Sequence, residues 1–148
     1  MRLRNKSRYV AVVISLTIGA TCACSAADSW GIQIAKHPQF DAKGSQGTDV
    51  YPIQGTARGI KNPADVMVVI YAKTDQWYIQ PYGNSFETAL TNCKAGHCEW
   101  STETHLGKSY LAILARRPAN DLKASSVAMP AGGSIVTTDV VSEPPASK

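Results

Sequence analysis

Four residues of the right types to hold a zinc ion, Cys93, His97, Cys98 and His105, fall within thirteen positions in the stretch NCKAGHCEWSTETH. Structural zinc sites draw on thiolate and imidazole ligands in paired, regularly spaced sets, and this spacing matches no such set. Thiols carried into an oxidising compartment pair with one another. Cys93 and Cys98 therefore read as a disulfide closing one small turn, and no metal or other cofactor is expected. His97 reads as an exposed turn residue and His105, in THLG, as a hydrogen-bonded loop residue. Three carboxylates, Glu87, Glu99 and Glu103, lie on or near the same hairpin. A glycosidase needs two carboxylates roughly 5 to 10 Å apart across a cleft, whereas acidic residues on a hairpin are more often solvated surface. Ser101, Ser109 and Ser134 lie in no nucleophile-elbow motif, and no glycine-rich loop opens a helix. The expectation is a protein without catalytic residues.

Binding chemistry centres on TDQWYIQPYG, residues 74–83, where a tryptophan, two tyrosines and a proline crowd into ten positions. If 77–80 is a strand, alternate side chains point to opposite faces. Trp77 and Ile79 then share one side and Tyr78 and Gln80 the other, so Trp77 and Tyr78 cannot form one platform. The candidate ligand contacts are Trp77, Tyr78, Tyr82 and Trp100, rings that can lie flat on a sugar without using charge. The competing reading puts one of each neighbouring pair in the core and leaves the rest as turn. Arg116 and Arg117 form one local basic pair at a strand end, a wet terminus by default.

The elements that must position these residues are strands. Short runs rich in Val, Ile, Thr and Tyr alternate with Gly, Pro, Asn and Asp, with little helical periodicity. Strands are expected over 31–35, 49–57, 66–73, 77–80, 86–91, 99–102, 109–115 and 134–141. VMVVIYA, 66–72, is apolar on both faces, as is SYLAILA, 109–115. Such runs mark strands covered on both sides or lying at the middle of a sandwich. A hairpin between 86 and 102 turns at 93–98, with Gly96 supplying a positive φ. The polar, proline-punctuated 116–133 reads as a long connection before the last strand. The fold class is all-β, a sandwich of about seven or eight strands, with strand order unspecified by pattern.

The first 26 residues read as an export signal: Arg2, Arg4, Lys6 and Arg8, then an apolar stretch from Val10 to Ala20, then small residues before Ala27. The apolar stretch is too short for a transmembrane helix, and no membrane span is expected elsewhere. Lipid attachment at Cys22 or Cys24 is the alternative, though Gly19 and Thr21 stand where an aliphatic residue would be wanted. Four of the 15 basic residues lie in this leader and none of the 11 acidic ones, leaving 11 against 11. A balanced domain lacks the clustered basic face needed to displace counterions from nucleic acid. The expected organisation is a leader over 1–26, one domain over 27–142 and a short tail over 143–148. The location is periplasmic or secreted.

YPIQGTARG, VMVVIYAKTDQWYIQP, THLGKSYLAILARRP and GGSIVTTDVV together resemble an immunoglobulin-like module of exported bacterial proteins, over about Val50 to Val141. The similarity lies in a glycine turn, an apolar strand, a Trp-Tyr-x-Gln-Pro signature and a His-Leu-Gly before a late strand. It implies a noncatalytic accessory role, in contact with polysaccharide or an envelope protein. NCKAGHCEW departs from the pattern by expanding a usually shorter hairpin and adding the cysteine pair. The alternatives are a structural envelope protein, including a lipid-anchored one, and, more weakly, a small glycoside hydrolase.

Overall fold

A computed structural model describes residues 29–45, 48–81 and 86–144. The leader, its Cys22 and Cys24, Tyr82 and most of the tail lie outside them. The described chain is built from nine strands: β1 (Gly31–Lys36), β2 (Tyr51–Arg58), β3 (Val66–Lys73), β4 (Trp77–Gln80), β5 (Leu90–Lys94), β6 (His97–Thr104), β7 (Ser109–Arg116), β8 (Ser125–Ser126) and β9 (Ile135–Ser142). One 3-10 turn, Pro63–Asp65, is capped by the Asn62 side chain accepting from the Ala64 N–H. Two antiparallel sheets result, ordered β1-β2-β6-β5 and β8-β4-β3-β7-β9. The fold is an all-β sandwich.

The two sheets are buried differently. Between them lies a core built from Ile32 and Ile34 of β1, Ile53 and Ala57 of β2, Trp100 of β6, and alternate residues of β3 and β7, including Val68, Ile70, Tyr110 and Ala112. The other alternate residues of β3 and β7, among them Met67, Val69, Tyr71, Leu111 and Ile113, form a second cluster on the far side of the five-stranded sheet. Ala119 and Leu122 cover it, both contributed by the long connection after β7. That cover explains why β3 over 66–72 and β7 over 110–115 are apolar at every position: neither face meets water there. The connection also contains β8, a two-residue strand that pairs with Trp77 and Tyr78 of β4. Nothing in the two serines of β8 marks a strand, and the sequence reading leaves them in the connection.

Seven of the expected strands coincide with observed ones to within a few residues, and the eighth is displaced. Strand 86–91 is expected, but β5 runs Leu90–Lys94. Before it, Thr88 exchanges both backbone hydrogen bonds with Val68 of β3, at 3.1 and 2.8 Å. This segment thus pairs with the five-stranded sheet at its start and crosses to the four-stranded one at its end, a division that side-chain pattern does not encode.

Gly55 is fixed by packing. A Cβ there would fall 2.4 Å from the Trp100 ring and closer still to the Gln33 carbonyl oxygen. The indole lies across the bare β2 backbone, and its Nε1–H donates to the Thr56 carbonyl at 3.2 Å. At the open side of the sandwich, the Ile34 N–H of edge strand β1 donates to the Asp139 carboxylate of β9 at 2.7 Å. A side chain thereby ties together two edges that the backbone ladders leave apart.

Candidate functional site

Beyond the end of β6 the four-stranded sheet stops short of the five-stranded one and leaves a notch. Alternation along β4 turns Tyr78 and Gln80 toward it, since they pair with Ala72 and Ile70, whose side chains line the inter-sheet core. Glu103, His105 and Leu106 form the opposite side. The β1–β2 connection makes a third wall through Lys43, Gly44 and Ser45. It is held by the Asp41 N–H donating to the Gly107 carbonyl and by the Ser45 hydroxyl, which accepts from the Leu106 N–H at 3.1 Å. The concavity has a volume of about 650 Å³, within the range of small-molecule and oligomer sites.

Gln80, only 2% exposed, organises its floor. Its Nε2 donates to the Tyr78 carbonyl at 3.2 Å, and its Oε1 accepts from the His105 N–H at 3.0 Å. A backbone N–H can only donate, so the amide orientation is set. The His105 Nδ1, 2.9 Å from the same oxygen, must then carry its proton. Tyr78 is half-buried, and its hydroxyl accepts from Gln76 Nε2 at 2.9 Å and faces the Asp75 carboxylate. The Thr74 hydroxyl, followed by the Gln76 N–H, holds the Asp75 carboxyl below the usual range.

The four aromatic candidates separate. Tyr78 lines the notch, and Tyr82 lies outside the described residues. The structure places Trp77 and Trp100 inside the protein rather than at a binding surface, at 3% and 1% exposure. Trp77 points into the cluster beneath the long connection, with the Lys73 ammonium 5.3 Å from its ring centroid, and Trp100 lies between the sheets over Gly55. Strand alternation separates Trp77 from Tyr78 as expected. Trp77 loses its outward face because the outer side of that sheet is itself covered.

Cys93 and Cys98 are bonded, with Cα atoms 4.0 Å apart. His97 opens β6 and His105 follows its last residue, so eight residues of extended chain, roughly 25 Å, separate the two imidazoles. Among the described residues, no group of three or more His, Cys, Asp or Glu side chains stands where it could hold a metal ion. The three hairpin carboxylates face different surroundings. Glu87 is ion-paired with Arg117, Glu99 accepts from Asn92 Nδ2 at 2.6 Å, and Glu103 lines the notch. Arg117 also donates through Nε to the Val66 carbonyl at 3.0 Å, so it ties chain segments together rather than facing solvent alone. The Ser134 hydroxyl donates to the Asp121 carboxylate.

The walls from residues 43–45 and the Gln80–His105 pairing are absent from the sequence reading. Both join positions far apart in the chain, and only the polar character of Gln80 in an otherwise apolar strand hints at them. Comparison with protein-family models, with curated proteins and with solved structures returns no match.

Proposed function

We propose that this chain is an exported, noncatalytic binding module of immunoglobulin-like type that takes a short, uncharged stretch of polysaccharide into the notch. The observation that carries the reading is the notch itself. One aromatic face, Tyr78, stands beside the fixed pair Gln80 and His105 and the exposed Glu103, and opposite charges on Lys43 and Glu103 leave no bias toward an ionic ligand. Sugars are recognised in this way, by an aromatic face together with a few oriented polar groups. The immunoglobulin-like assignment draws support from strand order. β1-β2-β6-β5 opposite β4-β3-β7-β9 follows the A-B-E-D and C′-C-F-G arrangement of such domains. The Tyr110 hydroxyl near the start of β7 accepts from the Gly107 N–H at 3.1 Å, in the manner of their tyrosine corner. The disulfide differs, closing a hairpin rather than joining the sheets. Export rests on the leader pattern of residues 1–26.

The test is retention of the purified domain on insoluble neutral polysaccharides and on cell-envelope fractions, with Tyr78→Ala alongside. Retention on a polysaccharide that weakens by about 1 kcal/mol in a folded Tyr78→Ala variant is the expected result. Retention only on protein-bearing fractions overturns the sugar reading in favour of a structural envelope role. Release of reducing ends, abolished by Glu103→Gln, overturns the noncatalytic one.

A further inference from the structure

At the end of β6 opposite the notch, register places Arg58 and Lys94 on either side of His97 in one row. His97 of β6 pairs with Lys94 of β5 on one side and with Arg58 of β2 on the other, and Arg58 pairs in turn with Gly31 of β1. Directly paired residues project from the same face, and Arg58, Lys94 and His97 are all exposed. Adjacent strands lie about 4.8 Å apart, so the row steps across the sheet at near the length of one sugar residue. The Ile60 N–H donates to the Gly96 carbonyl at 3.1 Å, which sets the backbone of Lys61 beside the same turn.

Two features hold the row in place. The Cys93–Cys98 bond brackets the turn between Lys94 and His97. Arg58 lies flat over Gly31, with its Cγ 2.9 Å from where a Cβ would stand, so the missing side chain makes room for the arginine arm. Among the described residues Arg58, Lys61 and Lys94 form no ion pair. Two carboxylates lie near the row, Glu99, which accepts from Asn92, and Asp139, which accepts from the Ile34 N–H, and both keep their charge. A concavity of about 500 Å³ lined by Gln33, Thr56, Arg58, His97 and Asp139 adjoins the row.

We propose that this row is a second binding surface, independent of the notch, for an acidic polysaccharide bearing a carboxylate or phosphate on successive residues. Cations without an ion-pair partner, gathered at one sheet end, are complementary to a linear polyanion. A lipid surface fits less well. Membrane-bound faces carry large apolar side chains beside their basic ones, and the exposed large apolar residues, Val50, Val127, Met129 and Val140, all lie outside β2, β5 and β6.

The experiment measures binding of the purified domain to polygalacturonate, to a neutral polysaccharide and to phosphatidylglycerol vesicles across a salt titration. The variants are Arg58→Gln, Lys94→Gln, Gly31→Ala and, as a control on the other sheet's covering segment, Lys123→Gln. The expected result is polygalacturonate binding that fades with salt and weakens roughly fivefold for each charge removed, while Lys123→Gln binds as the parent does. Gly31→Ala removes no charge but displaces Arg58, and it weakens binding in the same direction. The proposal is overturned by absence of binding at low salt, by equal loss in Lys123→Gln, or by preference for vesicles. Loss of neutral-polysaccharide retention in Tyr78→Ala with polygalacturonate binding intact separates this surface from the notch.

Discussion

The five-stranded sheet and the four-stranded sheet differ in how many of their faces are covered. The first has its central strands β3 and β7 buried on both faces, between the inter-sheet core and the segment that carries Ala119 and Leu122. The second is buried on one face only, and its outer side shows Gln33, Thr56, Arg58, His97, Glu99 and Ser101 to solvent. A sheet covered on both sides offers a binding surface only where its cover stops, as at Tyr78 and Gln80 of β4. The two surfaces proposed for recognition are the outer face of the thinner sheet and the notch where that sheet ends. Trp77 and Tyr78 make the same point within one strand: adjacent in sequence, one ring is core and the other lines the notch.

The strongest way to break this contrast is to remove the ring that joins the sheets. Trp100→Ala deletes the largest fully buried side chain and its bond to the Thr56 carbonyl, and is expected to cost about 3 to 5 kcal/mol in urea unfolding. Ser101→Ala, next along β6 but on the wet face, is expected to change stability by less than about 0.5 kcal/mol. Equal costs would mean that the inter-sheet core is not where stability resides.

This asymmetry also sets what the sequence discloses. β3 and β7 are legible because both their faces are apolar, and β2 and β6 because their faces alternate; in each case burial has shaped the composition. β5 is misplaced because its first partner belongs to the other sheet, as the Thr88–Val68 pairing shows. The aromatic cluster is visible as a cluster, but which ring faces outward depends on a cover supplied far along the chain by Leu122. The notch is less legible still. Its contacts run from Gln80 to His105 and from Ser45 to Leu106, and neither spacing leaves a periodic trace.

A smaller effect sharpens the comparison at the four-stranded sheet's edge. The Cys93–Cys98 bond closes a loop with a sequence separation of 5, so a Cys93→Ala/Cys98→Ala double variant is expected to lose about 2 kcal/mol. Hydrogen exchange should rise in β5 and the turn before it rises in β3. Uniform loosening of both sheets would show that the bond supports the whole sandwich, not one hairpin.

The smallest effect probes the cover of the five-stranded sheet and carries a pH signature. The Tyr71 hydroxyl donates to the Lys123 carbonyl at 2.7 Å, fastening the covering segment to β3. Burial, with a lesser contribution from the Asp121 charge, pushes the Tyr71 phenol up from 10.0 to about 12. The folded state therefore holds this proton more tightly than the unfolded one. The resulting stability is fully present below pH 10 and is lost as pH rises through about 12. Tyr71→Phe keeps the ring and is expected to cost about 1 kcal/mol at neutral pH. Because the variant has no proton to lose there, its stability should fall less steeply than the parent's over the same alkaline interval. Parallel slopes would mean that the phenol ionises with the segment already lifted, and that the outer cluster is held closed by Leu122 and Ala119 alone.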